Sequence, residues 1–168
     1  MESHTLIPVD EYLATAYRPD CDYVDGELLE RNLGELDHNR IQKKLLLYFA
    51  TREAQWGVEA IQEQRVQVGP KRFRIPDVTV VLGRADEQVL TRPPHLCVEI
   101  LSPEDRMSRM EERVSDYLAM GVTCVWVIDP HTKAAFTITP AEGWREVKTG
   151  VLRTAHSSLE VPLAEIFA

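Results

Sequence analysis

Cysteine is scarce: Cys21, Cys97 and Cys124 are the full set, and no two stand in a C-x-x-C pair. An odd, scattered trio builds neither a disulfide framework nor a zinc cluster. Cys97 and Cys124 lie inside apolar runs, where cysteine behaves as a small buried hydrophobe, so all three read as structural. Long apolar runs are missing as well. None approaches the roughly 20 residues that span a bilayer, so no membrane association is expected. A basic-then-apolar leader is also absent at the N-terminus, which makes the cytoplasm the expected location. Repeats, low-complexity tracts and long linkers are not found, and 168 residues suit a single domain over 1–168. Positive charge is in deficit, with a net charge of −8. That argues against holding nucleic acid by an overall field. It leaves a nuclease open, because a metal site needs carboxylates and a basic surface can be local.

What is present is patterned. The opening stretch through Tyr17 fits a short helix with Pro8 in its first turn. Asp25-Gly26 between two apolar stretches predicts a hairpin. From Glu35 to Thr51, the spacing of Ile41, Leu45, Tyr48 and Phe49 predicts an amphipathic helix, with Asp37 as its cap. One strand is expected over Val58–Val68, a turn at Gly69-Pro70, a second strand over Arg74–Leu82 and a third over His95–Leu101. Ser102 as N-cap and Pro103 at the first helical position predict a helix with a stripe of Met107, Met110, Val114, Tyr117 and Leu118. Gly121 ends it. A strand over Val122–Ile128 follows. The tail reads as short strands over Ala135–Thr139, Trp144–Lys148 and Val151–Thr154, then a terminal helical turn at Leu163–Ala168. Apolar strands alternating with helices indicate an α/β or α+β sheet with helices packed on it.

Two acids interrupt apolar strands: Asp77 after Ile75-Pro76, and Glu99 between Val98 and Ile100. A buried, unpaired carboxylate is costly, so each needs a partner, a proton or a metal. If the strands are neighbours, the acids converge, and two or three oxygen ligands suit Mg²⁺ or Mn²⁺. Such an ion polarises a phosphodiester and activates water. The plainer alternative is a solvated acid, or one paired with Arg72 or Arg74.

Several blocks then fit one pattern in order: Tyr23-Val24-Asp25-Gly26-Glu27-Leu28, Asp37-His38-Asn39-Arg40-Ile41, Arg74-Ile75-Pro76-Asp77-Val78, Val98-Glu99-Ile100-Leu101-Ser102-Pro103, and Gly121-Val122 through Val125-Trp126-Val127-Ile128-Asp129-Pro130. Over about Tyr12 to Pro130 the chain resembles the Uma-two family of restriction-endonuclease-like proteins, in the PD-(D/E)XK nuclease superfamily. The resemblance implies a mixed central sheet flanked by helices, here with a β-rich C-terminal extension. It also implies that Asp77 and Glu99 are the two motif acids and bind the metal, with Glu27 and His38 near the same cleft. One departure stands out. Leu101 occupies the place of the superfamily lysine, and Arg113 stands where the resembling family takes a lysine from the following helix. Arginine stabilises developing charge but does not serve as a general base. The plain alternatives are a solvent-facing hairpin Glu27, a His38 packed near Ile41 and an Arg113 paired with neighbouring acids on the helix surface.

The expected activity is metal-dependent hydrolysis of DNA, with Arg40, Lys43, Lys44, Lys71, Arg72 and Arg74 as candidates for a basic groove. The alternative from another class is a catalytically silent binding or assembly module. The tail with Trp144 suggests a homodimer contact.

Overall fold

The computed structural model describes residues 5–168; of the opening stretch, residues 1–4 lie outside the described residues. In chain order the elements begin with α1 (Val9–Ala14), β1 (Cys21–Val24), β2 (Glu27–Glu30), α2 (Leu36–Ala50) and α3 (Glu53–Trp56). Strands β3 (Val58–Gln62), β4 (Val66–Gly69), β5 (Arg72–Arg74), β6 (Val78–Leu82) and β7 (Leu96–Ile100) lead to α4 (Met107–Met120). Then come β8 (Val125–Asp129), β9 (Ala134–Thr139), β10 (Gly143–Glu146), β11 (Val151–Arg153), β12 (Glu160–Pro162) and α5 (Leu163–Phe167). They form a six-stranded sheet in the order β10-β9-β8-β7-β6-β3, a four-stranded sheet β2-β1-β5-β4, and a two-stranded β11-β12 ribbon. Only the β7–β8 pair in the large sheet is parallel, as expected where α4 supplies the crossover. This is the mixed sheet with flanking helices and the β-rich tail that the sequence predicts.

Alternation along the strands divides the large sheet into two faces. Leu96, Val98 and Ile100 of β7, with Val78, Val80, Trp126 and Ile128, pack against Ile41, Leu45 and Phe49 of α2. Cys97, Val125 and Val127 point the other way, onto Met110, Val114 and Tyr117 of α4. Glu99 shares the parity of Cys97 and therefore belongs to the α4 face. The small sheet is split in the same manner. Tyr23 stacks on Tyr12 of α1 and Phe73 tilts against the same ring, which leaves Asp22, Arg72 and Arg74 on the side toward α4.

The hairpin turn carries Asp25 at φ 51° and Gly26 at φ 100°, both in the left-handed region that a tight I′ connection demands. A side chain at Gly26 would also meet Leu6 Cβ at 2.9 Å. Gly121 ends α4 at φ 112°. All three cysteines are free and buried.

Several boundaries differ from expectation. The opening helix is shorter, with Pro8 at its N-cap position and not inside the first turn. Asp37 does not cap α2; Glu35 is the N-cap residue, and Asp37 lies in the first turn within 3.4 Å of Arg40. The strand expected over 58–68 is two, β3 and β4, in different sheets, broken near Glu63 at φ 47°. Likewise 74–82 is split between β5 and β6, because Pro76 has no N–H to continue a ladder. Ser102 does not start a helix. Its N–H donates to Asp105 Oδ2 at 2.7 Å, its carbonyl accepts from Asp105 N–H at 2.9 Å, and α4 begins only at Met107, which is half exposed.

Candidate active site

Asp77 and Glu99 come together because β6 and β7 are antiparallel neighbours with Val78 facing Val98. The next facing positions along that register are Asp77, just before β6, and Glu99, which faces α4, while Asp77 reaches Arg31 and His38 at the start of α2. The Ile100 N–H donates to Asp77 Oδ2 at 2.7 Å, tying the residue after one acid to the other acid. Each is almost wholly buried, Asp77 at 2% and Glu99 at 1% exposure.

Their surroundings differ. Asp77 Oδ1 accepts from Arg31 Nη2 at 2.5 Å and lies 3.2 Å from His38 Nε2. Burial works to raise its pKa, but Arg31 and His38 overcome that and hold Asp77 below the ordinary carboxylate value. Glu99 Oε1 accepts from the Tyr117 hydroxyl at 2.5 Å, while Oε2 is 3.7 Å from Arg113 Nη1. Here burial wins over the pull of Arg113, the Asp77 charge adds to it, and Glu99 is pushed up to about 7. A carboxylate so raised is short of compensating positive charge.

Arg113 is not on the helix surface. Its Nε donates to Asp22 Oδ2 at 3.2 Å, and its side chain is 10% exposed. The same Asp22 oxygen accepts from Arg74 Nη1 at 3.1 Å, and its other oxygen takes the Ile75 N–H at 3.2 Å. Arg74 continues outward to Asp116 and Glu112 of α4. A seam of buried charges thus runs from Arg31 through the adjacent acids Asp77 and Glu99 to Arg113, Asp22 and Arg74. Burial disfavours the cation of Arg113, yet Glu99 and Asp22 keep it firmly protonated.

His38 sits at the start of α2, buried, with burial working against its charge and Asp77 favouring it; the net direction is upward. Its Nδ1 is buried without a hydrogen-bond partner. Two surface clefts meet at this side chain. One, of about 340 Å³, is also lined by Arg18, Arg31, Glu63 and Asp77. The other, of about 410 Å³, is lined by Leu101, Asp105 and His131.

Glu27 is not brought into the seam. It is an exposed residue at the hairpin end of β2, facing Val24, two register positions from Asp22. The expected basic groove also needs correction. Arg74 is 2% exposed and spent on Asp22, Glu112 and Asp116. Arg72 pairs with Asp25 and Asp116, and Lys44 donates to the carbonyls of Ile166 and Ala168. Arg40, Lys43 and Lys71 remain exposed. Sequence reasoning missed Arg31, Asp22 and Tyr117. Asp22 carried a usable signal, an acid between Cys21 and Tyr23 in a strand. Arg31, in the polar run Glu30-Arg31-Asn32, carried none.

Among the described residues, no three His, Cys, Asp or Glu side chains already stand in an arrangement that could hold a metal ion. The donor chemistry nevertheless fits a hard divalent cation: two adjacent carboxylates, one of them under-compensated. The obstacle is local, since Arg31 and His38 occupy one oxygen of Asp77.

Comparison with known proteins points one way. The model of a family described as "Uma2: Putative restriction endonuclease" matches residues 9–166. No curated protein matches the chain. Among solved structures, one of "a putative nuclease belonging to DUF820" from Anabaena variabilis ATCC 29413 superposes with a TM-score of 0.83 at 20% identity. The alignment covers 96% of this chain and 97% of that one, a likeness of fold.

Proposed function

The chain belongs to the Uma2 family of restriction-endonuclease-like proteins, and on that premise we propose that it hydrolyses DNA phosphodiester bonds at Asp77 and Glu99 with a divalent cation. The family match spans nearly the whole chain, which favours one nuclease domain over 1–168. The observation that carries the reading is the Ile100 N–H bond to Asp77, which fixes two buried acids from adjacent strands side by side. Asp77 and Glu99 would hold Mg²⁺ or Mn²⁺, which when bound polarises the phosphodiester and lowers the pKa of a water.

The remaining residues have work of their own. Tyr117 and Arg113 flank the Glu99 carboxylate and orient it. Arg113 keeps its proton, so it is no general base. Pinned by Asp22, it is a positioning residue for Glu99. His38 lines both clefts and touches Asp77, which suits it to handling a proton near the scissile bond. Glu27, exposed at the hairpin end, has no part in this reading. DNA would be met by local cations, Arg18 on the cleft wall with Arg40 and Lys43 on α2, since the net charge repels it. Cutting both strands would engage two copies. Trp144, 38% exposed and edge-on to Phe136, keeps the tail in view as the contact, which light scattering tests directly.

A second reading, a silent nuclease-fold module, is favoured by Arg31 on Asp77 and by arginine where the family lysine is expected. One experiment separates the two. Single- and double-stranded DNA is incubated with Mg²⁺ or Mn²⁺ and wild type, Asp77→Asn or Glu99→Gln. Nuclease function predicts cleavage by the wild type and a loss of at least about a hundredfold in both variants. A folded wild type that cuts neither substrate, or cutting that survives both substitutions, sinks the proposal.

A further inference from the structure

Arg31 touches an acid of the proposed centre, yet the proposed chemistry does not use it. Its Nη2 lies 2.5 Å from Asp77 Oδ1, the shortest ion pair Asp77 makes, and with His38 and the Ile100 N–H it leaves that carboxylate fully engaged. Asp77 and Glu99 both act to keep its guanidinium charged against the cost of burial. Arg31 therefore already serves as the cation on Asp77.

The loop that carries Arg31 is anchored without it. The Arg31 backbone N–H donates to Asp20 O at 3.0 Å, and Asn32 Nδ2 donates to Asp105 Oδ1 at 2.9 Å. Asn39 Nδ2 reaches Gly34 O at 3.2 Å. The approach at Gly34 is close: a β-carbon there would lie 2.4 Å from Asn39 Oδ1 and 3.1 Å from His38 Nδ1. The backbone is thus fixed at several points while the Arg31 side chain, 13% exposed, lines the open cleft beside Asp77. A guanidinium at a cleft wall has a second natural partner, since its planar fork pairs with phosphate as readily as with carboxylate.

We propose that Arg31 is a built-in counter-ion that holds the place of the divalent cation on Asp77, and that a phosphodiester in the cleft draws it off so that metal can load. The inference rests on the metal-dependent reading above and adds its regulation: metal and nucleic acid bind cooperatively, through one side chain. The reciprocity of linkage requires that DNA raise metal affinity by the same factor by which metal raises DNA affinity.

The test is binding, read apart from activity. Full-length wild type, Arg31→Ala and Arg31→Ala/Asp77→Asn are titrated calorimetrically with Mn²⁺ alone, and thermal melts are recorded with and without Mn²⁺. Because Arg31→Ala leaves the Asp77 charge buried with only His38 and the Ile100 N–H beside it, Arg31→Gln, which keeps an N–H donor without the charge, is run beside it and read the same way. The expected result is Mn²⁺ binding at least tenfold tighter in Arg31→Ala or Arg31→Gln than in wild type, lost again in the double variant, with a larger Mn²⁺-induced rise in Tm. Equal Mn²⁺ affinity in wild type and both Arg31 variants overturns the counter-ion role while leaving the metal centre intact. Absence of Mn²⁺ binding in every folded form overturns both.

Discussion

The two faces of the large sheet solve opposite problems with the same strands. Toward α2, β7 presents Leu96, Val98 and Ile100 to Ile41, Leu45 and Phe49, an apolar contact that needs no partner beyond good packing. Toward α4, the same strand presents Cys97 and then Glu99, and around Glu99 the interior is a chain of charges from Arg31 to Arg74. The apolar face stabilises by excluding water. The charged seam must compensate each ion with another, and ion pairs of this kind seldom gain much over hydrophobic residues of similar volume. Its members are costly to remove singly, which makes the seam fragile to substitution and sensitive to pH in a way the apolar contact is not.

The largest break in the comparison is expected at Arg74. Buried at 2% exposure and bonded to Asp22, Asp116 and Glu112, it neutralises acids from β1 and α4 together. Arg74→Ala is expected to destabilise by about 3–5 kcal/mol, since it takes a cation from the buried Asp22 carboxylate and leaves a cavity where a buried side chain stood. Urea unfolding followed by circular dichroism measures this, and a loss under about 1 kcal/mol would mean that the seam is far wetter than its geometry indicates.

Glu99 gives the next effect, and its sign is specific. Burial raises its folded pKa to about 7 from an ordinary 4.5. The folded state therefore binds the proton more tightly, and stability falls as pH rises from about 4.5 through about 7. His38, raised from 6.5, acts in the same direction, its contribution present below 6.5 and lost as pH climbs through the folded value. Asp77 is lowered from 3.8, so its contribution is lost only as pH falls through its folded pKa, outside the pH 5–8 range. Glu99→Gln removes the largest descending part. Relative to wild type it is expected to gain about 2 kcal/mol between pH 5 and pH 8. Parallel stability curves for the two proteins across that range would show Glu99 to be ionised and satisfied as it stands.

The two regions also differ in how far the sequence discloses them. The spacing of Ile41, Leu45 and Phe49 is local, so one helix face is visible without knowing what it packs on. Asp25-Gly26 and Gly121 are equally local, and each sits where its backbone freedom is used. Asp77 and Glu99 were visible as acids in apolar strands. Arg113 and His38 were legible only through the resemblance, and Arg31 and Asp22 were not, because they meet Asp77 and Arg74 across 46 and 52 residues and polar residues look solvated until the fold buries them. Pro76, which divides 74–82 between two sheets, was a legible break that the run Val78-Thr79-Val80-Val81 overshadowed. Ser102-Pro103 imitated a helix start because a turn closed by Asp105 uses the same residue types as a cap.

The smallest expected effect is the control for the whole contrast. Ile41 is 5% exposed on α2 and packs into the apolar face. Ile41→Val deletes one methylene and leaves every ion pair of the seam in place, so the cost is the lost transfer energy plus a small cavity, about 0.5–1.5 kcal/mol. It is also expected to be about the same at pH 5 and pH 8, because Ile41 packs among apolar side chains and the substitution leaves the contact of His38, one turn away on α2, with Asp77 in place. Urea melts of this variant at both pH values give the comparison its reference line. If its cost moved by more than about 1 kcal/mol between them, the apolar contact and the seam would be coupled, and pH sensitivity could no longer be assigned to the seam alone. A constant cost would leave the pH dependence of Glu99→Gln as a property of the seam, and tie that dependence to the acids proposed to do the chemistry.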